Sequence, residues 1–257
     1  MIKFFRNIRL RALIKGKMTD YFKYALGEIF LIVLGILIAF QINAWNEARK
    51  QRSEEIETLH NIRSEFLNVI KECEENNGFR KRIVSATNAF YQMIHNKDYN
   101  HSLGKLDSLM ADLRLNPTYN NQDLTLNILF NSGKINIIQN DKIKQALLSW
   151  PKEMDDTKED EVYASDILYN DLSPILRKYI SLYESNKLIN FRQFELFNYT
   201  TKTSFKSDYE GLLKSLEFEG ILANRELHIS ITSVQTIALI NKAKEIIQLI
   251  ADELTSK

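Results

Sequence analysis

The residues that could carry chemistry in this chain are few and widely spaced. Its four histidines lack the spacing of metal ligands on one helix face, and each is interpreted as an exposed or hydrogen-bonded side chain: His60, His95, His101 and His228. The single cysteine, Cys73, excludes an intramolecular disulfide framework and a zinc or iron–sulfur site built from paired cysteines. It is interpreted as a buried structural residue, with an intermolecular disulfide as the alternative.

The sequence contains no motif of a known catalytic centre. Phosphate-binding, dinucleotide-binding, zinc-protease and serine-hydrolase patterns are all missing. Six acidic residues between Glu153 and Glu161 lack the spacing of a calcium loop and are interpreted as a solvated helix face. We therefore expect a protein that is not an enzyme and that uses no cofactor or metal, although an enzyme with an unrecognised site stays open.

Glu28 is the most informative ionisable residue, because it lies in Tyr24–Ile42, the one run suited to cross a bilayer. An ionisable group within a membrane span is a functional-site hypothesis by default. It could share a packing seam in an oligomer with Gln41 and the small pair Gly35 and Ala39. It could instead couple a proton or ion to a motor or transporter. A third interpretation is that its carboxylate reaches the cytoplasmic headgroups and has no further role.

The flanks of this run indicate a membrane anchor. Its 19 residues reach about 28 Å as a helix, close to the hydrocarbon thickness of about 30 Å. Lys23 and Tyr24 precede the apolar core and Trp45 follows it, as interfacial anchors do. The part of the run without polar residues, Ile29–Phe40, is short for a membrane span, so a helix buried in a protein core is one alternative. A cleavable signal peptide is another, but no small-residue cleavage site follows. An uncleaved signal anchor fits best.

Charge asymmetry gives the anchor a direction. Residues 1–23 carry seven basic residues and one acidic residue, which leaves 27 basic and 32 acidic residues in the remainder. Only three basic residues, Arg49, Lys50 and Arg52, lie just after the span. The positive-inside rule therefore predicts a cytoplasmic N-terminus at the inner membrane and places residues 46–257 in the periplasm of a Gram-negative cell. The basic arm either lies on the anionic leaflet or serves only to set topology. With a net charge of +1, the chain has no nucleic-acid signature.

Helical periodicity continues beyond the anchor. Apolar residues from Ile56 to Cys73 recur every three or four positions, which predicts that one helix runs from the span to a glycine C-cap at 76–78. A second helix is expected to follow around Ile83–Ile94. Pro151 is expected to kink or end a helix that begins near Asp141. Only Lys134–Ile138 has some strand character.

The last helix of the chain is predicted to be long. Its heptad-like seam could pack along the helix that leaves the membrane, and comprises Ile240, Ala243, Ile247, Ile250 and Leu254. The 8 glycines and 3 prolines are too few for a turn-rich fold. The predicted class is all-α: one N-terminal transmembrane helix that continues into a long stalk helix and a helical-bundle domain. The predicted domains are a basic arm (1–23), a signal anchor (24–45) and a periplasmic bundle (46–257).

The anchor resembles that of a known family. Residues 27–29 (GEI), 35–39 (GILIA) and 41–47 (QINAWNE) resemble the signature of an uncharacterised family of single-pass membrane proteins from Bacteroidota. Residues 129–135 (LFNSGKI) resemble its second landmark. Ala44 departs from the pattern, which often has a second asparagine there. The resemblance implies a cell-membrane location and a helical soluble part, and it implies no activity.

These features together favour a non-enzymatic function. The leading hypothesis is a membrane-anchored periplasmic scaffold or accessory subunit that contacts the lipid bilayer and binds a protein partner or self-associates as a homo-oligomer. The alternative is a ligand-sensing helical domain that signals through a separate partner, because a cytoplasmic arm of about 23 residues is too short to carry an output domain.

Overall fold

The computed structural model describes residues 18–120, 124–191, 194–195 and 201–255 of the 257-residue chain. The chain divides into two compact units, Met1–Glu57 and Thr58–Lys257. The predicted basic arm lies mostly outside the described residues, since residues 1–17 are not among them. The domain boundaries expected from the sequence stay predictions.

The first helix, α1, spans Met18–His95 without interruption. The expectation of a break at 76–78 is wrong. Asn76 is buried, and the neighbouring Asn77 accepts a hydrogen bond from the Arg80 side chain at 3.1 Å, so these polar residues are held within the helix. A glycine such as Gly78 costs about 1 kcal/mol in a helix interior, which packing on both sides of it readily offsets.

Short helices and one long pair complete the second unit. In the described residues after α1 there are seven α-helices, a 3₁₀ helix at Lys134–Ile137 and a π-helical segment at Ile167–Leu172. They are α2 (Leu103–Leu113), α3 (Leu124–Asn131), α4 (Asp141–Asp166), α5 (Ser173–Tyr179), α6 (Leu182–Lys187), α7 (Tyr209–Leu213) and α8 (Leu216–Thr255). Two antiparallel strands of two residues each, β1 (Asn190–Phe191) and β2 (Phe194–Glu195), form the only pairing in the described chain. The predicted all-α class is confirmed.

Two local expectations are wrong. The stretch from Lys134 forms the 3₁₀ helix rather than a strand, because Gly133 adopts a left-handed conformation (φ 68°) that ends α3 and starts the tighter turn at once. Of the two outcomes expected at Pro151, the end of the helix is wrong, because Pro151 lies inside α4. A kink at this position stays a prediction. Trp150 and Met154, one residue before and three after the proline, are buried in the same core, and this packing opposes a proline penalty of about 3 kcal/mol.

The second unit contains two apolar cores. The Trp150 core takes residues from α1, α3, the first half of α4 and the C-terminal half of α8, and Phe66 and Trp150 meet in it with ring centroids 4.6 Å apart. The Phe90 core takes residues from later in α1, from α2, α5 and α7, and from the N-terminal half of α8, with Phe90 and Phe218 in edge contact at 5.8 Å. Within this unit α1 and α8 contribute to both cores, and the predicted seam of α8 lies in the Trp150 core. A coiled-coil pairing of the two helices stays a prediction.

Candidate functional site

The first candidate site is the exposed apolar segment of α1. Its best 18-residue window has a mean hydropathy of 2.4, and none of that window is buried. Large aliphatic and aromatic side chains are exposed around the whole helix from Leu26 to Ile42. A helix that is apolar on every side and contacts no protein core has the composition of a membrane span. Among the described residues this is one helix long and apolar enough to cross a membrane.

Helix geometry brings together three of the four residues predicted for packing in the span. At about 100° per residue, Gly35 and Ala39 lie within about 20° of Glu28 around the helix axis. Gln41 lies about 140° away from Glu28 and belongs to a different face. A Cβ added at Gly35 would meet no atom within 4 Å, so this face is open to a second helix. Any shared packing seam would therefore involve Glu28, Gly35 and Ala39 without Gln41.

The three predicted interfacial anchors also belong to α1. Lys23 and Trp45 are exposed at the two ends of the apolar segment, 22 positions apart. At about 1.5 Å per residue this separates them by about 33 Å, close to the distance between the two borders of a hydrocarbon core. The side chain of Tyr24 lies outside the described part of the chain.

A second cluster, which the sequence interpretation missed, is a buried polar layer in the second unit. Arg80 Nη2 lies 2.6 Å from Glu161 Oε1, and the two side chains are 1% and 6% exposed. Arg80 Nη1 donates to Thr236 Oγ1 at 2.8 Å, while the backbone N–H of Tyr119 donates to Glu161 Oε2 at 2.9 Å. The layer lies between the two cores: Arg80 on α1, Glu161 on α4 and Thr236 on α8 each separate the buried residues of the Trp150 core from those of the Phe90 core.

Desolvation dominates the electrostatics of this ion pair. Burial raises the pKa of Glu161, and the Tyr119 N–H and the Arg80 charge oppose that rise. Burial likewise lowers the pKa of Arg80, against the attraction of Glu161. A buried pair of this kind is weak evidence for net stability but is costly to break, because the remaining charge cannot be hydrated. The layer is therefore suited to fixing the register of three helices.

Arg225 is a second buried cation, and it binds backbone rather than a carboxylate. Its Nε, Nη1 and Nη2 donate to the carbonyl oxygens of Leu113, Ala164 and Leu115 at 3.0, 3.1 and 2.6 Å. Burial lowers the pKa of Arg225 to about 10, which still leaves the guanidinium charged at neutral pH. The planar fork of an arginine suits this task. Arg225 thus joins α8 to the end of α2 and to α4.

One of these residues was signalled by the sequence and the others were not. Arg80 continues the three- and four-residue spacing of the apolar face between Cys73 and Ile83, so its position on the buried side could have been inferred. Glu161 was assigned to a solvated acidic face, and this is wrong because its side chain is buried against Arg80. Cys73 is buried, as predicted.

An acidic cleft on α1 has two of its three carboxylates engaged by the fold. The cleft has a volume of about 370 Å³ and is lined by Glu65, Asn68, Val69, Lys71, Glu72, Glu75 and Tyr119. Glu65 accepts hydrogen bonds from the N–H and Oγ1 of Thr125, and Glu72 accepts one from the N–H of Asn120. Among the described residues, no group of three or more His, Cys, Asp or Glu side chains could hold a metal ion.

The fold and the exposed apolar segment define a class: a helical protein with a candidate membrane span near its N-terminus. Within that class, residues 28–151 match a family model described as Family of unknown function (DUF6090). The match starts at Glu28 in the apolar segment and ends at Pro151 in α4, and so leaves out α8. It is consistent with the predicted resemblance to a family without established activity, whereas the Bacteroidota origin and the anchor pattern stay predictions. Characterised proteins and solved structures give no significant match.

Proposed function

We propose that this chain is a membrane-anchored helical protein that acts by binding another protein chain rather than by catalysis. The observation that carries the proposal is the apolar segment of α1, because its most apolar window has no buried residue. Exposing so many large apolar side chains to water would be unfavourable by about 1.5–3 kcal/mol for each side chain that could be buried, and a bilayer removes that cost.

The proposed topology has the N-terminus in the cytoplasm and the second unit in the periplasm. It rests on the seven basic residues before the span, against three just after it, Arg49, Lys50 and Arg52. The non-catalytic role rests on the sequence, which lacks known catalytic motifs, and on the use of the buried charges to join helices.

Membrane extraction and a reporter fusion test this proposal. The chain is expected to stay in the membrane fraction after alkaline carbonate washing, and a C-terminal alkaline phosphatase fusion is expected to be active because that reporter folds only outside the cytoplasm. Ile36→Lys with Leu37→Lys should release the chain, since each lysine at the centre of a span costs about 2.5–3.5 kcal/mol.

A matched variant controls for the added charge itself. Ser64→Lys with Asn68→Lys adds the same two charges on an exposed face of α1 in the second unit and should leave the chain in the membrane. Release of the unaltered chain by carbonate would refute the anchor. An inactive phosphatase fusion with a retained anchor would refute the topology alone.

A further inference from the structure

The outer face of α8 carries an apolar seam that no other part of the described second unit covers. We call it the outer seam, and its eight residues alternate in steps of four and three: Leu216, Gly220, Ala223, Leu227, Ser230, Val234, Ile237 and Asn241. All eight are exposed, with Leu216 at 82% and Val234 at 67%. Ile231 and Ala238, also exposed, widen the seam. This is a second face of α8, distinct from the buried face that includes Phe218 and Ile229.

The composition of the outer seam differs from that of the neighbouring helices. The exposed positions of α1 in the second unit are mostly polar, as at Ser64 and Asn68, with Leu67 as an exception. Exposed apolar residues of α4 such as Leu148 and Val162 are separated by charged ones. The outer seam has no charged residue at any of its eight positions. Contiguous exposed apolar surface with polar borders is typical of an interaction site. A repeat of about 3.5 residues is the spacing by which one helix packs along another in a coiled coil.

We infer that the outer seam of α8 pairs with the same seam of a second copy of this chain. In a two-fold symmetric dimer the same face of both copies is in contact. An uncharged face can pair in this way without placing like charges opposite each other, whereas a face that carries charges of one sign cannot. Gly220, Ala223 and Ser230 are small, and a Cβ added at Gly220 would meet no atom within 4 Å, so a second helix can approach closely. The inference rests on the proposed membrane anchor, because the seam is too small to hold two freely diffusing copies together.

The area of the outer seam is small for an interface between freely diffusing proteins. Its 26 residues extend about 38 Å at about 1.5 Å each, and a helix is about 10 Å across, so the seam covers roughly 380 Å². A stable interface buries about 800 Å² on each partner. Pairing through this seam is therefore weak in dilute solution. Anchoring two copies in one membrane raises their effective concentration, which is the condition under which a weak seam is populated.

Cysteine crosslinking of the full chain in native membranes tests the pairing. Ser230 lies near the centre of the outer seam, so Ser230→Cys faces the same residue of the second copy in a parallel pairing and lies within about one helical turn of it in an antiparallel pairing. Oxidation should convert this variant into a covalent homodimer. The matched control is Ser85→Cys, on the exposed polar face of α1, which should stay monomeric. The native Cys73 is buried and is present in both variants.

A second variant separates pairing from folding. Leu227→Glu in the Ser230→Cys background should lower the homodimer yield at least about tenfold, because two carboxylates would be buried opposite each other. Leu227 is exposed, so the helical circular dichroism signal and its thermal midpoint should not change. Monomer alone from Ser230→Cys, a crosslink to a different protein, or an equal yield from Ser85→Cys would each overturn the pairing.

The same membranes distinguish failure of the pairing from failure of the anchor. Monomeric Ser230→Cys in a carbonate-resistant fraction would refute the pairing and leave the anchor in place. A chain found in the soluble fraction would refute the anchor and would overturn with it the pairing, which depends on the effective concentration that the membrane supplies.

Discussion

Replacing Arg80 by methionine would leave Glu161 buried without its cation. The two side chains are 1% and 6% exposed and their charged atoms lie 2.6 Å apart, so water cannot replace the guanidinium. Of the hydrogen bonds to its carboxylate described above, only that from the Tyr119 N–H would remain. Breaking a buried pair by removing one partner costs about 3–5 kcal/mol, and we expect the free energy of unfolding to fall by that amount at neutral pH.

The loss should depend on pH with a defined sign. Burial already holds the pKa of Glu161 above its ordinary value of 4.5, and removing Arg80 removes a charge that opposes this rise. A carboxyl whose pKa is higher in the folded than in the unfolded state does not lower stability at a pH below its unfolded pKa, because it is protonated in both states. As pH rises from about 4.5 to the folded pKa, the cost grows by about 1.4 kcal/mol for each pH unit. Arg80→Met should therefore be less damaging near pH 4.5 than at pH 7.5.

Two further variants isolate the ion pair. Adding Glu161→Gln to Arg80→Met removes the stranded charge and keeps an oxygen acceptor for the Tyr119 N–H, so the double variant should recover much of the lost stability. Arg82→Met is the matched control, because Arg82 lies two residues further along the same helix and pairs with Asp112 at a site that is about one-third exposed. Its loss should stay below about 1 kcal/mol.

Tryptophan fluorescence during urea unfolding in detergent can measure these differences. Trp45 lies in the exposed apolar segment, so Trp45→Phe leaves Trp150, which packs against Phe66 in the core, as the only reporter. The midpoint and slope give the free energy of unfolding. A loss from Arg80→Met no larger than that from Arg82→Met, or one that does not shrink near pH 4.5, would refute the argument.

Three further changes test other contacts of the second unit, each by its urea midpoint. Arg225→Lys should cost about 2–3 kcal/mol, because an ammonium cannot reach three separate carbonyls, and a loss below about 0.5 kcal/mol would contradict this. Gly133→Ala should lower the free energy of unfolding by about 1 kcal/mol, because Gly133 has a positive φ. Gly78→Ala should raise it by about 0.5–1 kcal/mol, because Gly78 lies within a helix and has open space around it. The opposite signs would contradict both predictions. Tyr209→Phe should cost about 1.5–3 kcal/mol by removing the donor 2.6 Å from the buried Asp107. Burial raises the pKa of Asp107, so this last loss should shrink as pH falls and the carboxyl is protonated; a constant loss would argue against the assignment.

Local patterns predicted much of the helical structure. The long final helix and its buried face follow from apolar spacing, which acts within a few positions. The break expected in α1 was wrong, and of the kink or end expected at Pro151 the end was wrong, for a common reason. Both rules describe intrinsic helix propensity, and burial of neighbouring side chains in a core outweighs a penalty of about 1–3 kcal/mol.

The buried charges could not be located from spacing. Glu161 and Arg80 are 81 positions apart, and Arg225 binds carbonyls more than 60 positions away. Of the other five acidic residues in this run, four are exposed and Asp160 is half-buried, so composition alone assigned Glu161 to the surface. Which member of an acidic run is buried depends on the rotation of α4 against α1, and that rotation is decided by packing.

The sequence by itself determined the apolar segment, its basic flank and the all-α class, because hydrophobicity, charge and helical period are properties of neighbouring residues. Helix geometry then narrowed the candidate packing residues of that segment to Glu28, Gly35 and Ala39. Only the tertiary structure decided which faces of α8 are buried and which charged side chains are desolvated. Periodicity shows which residues share a face, but the exposure of that face depends on the helices packed against it.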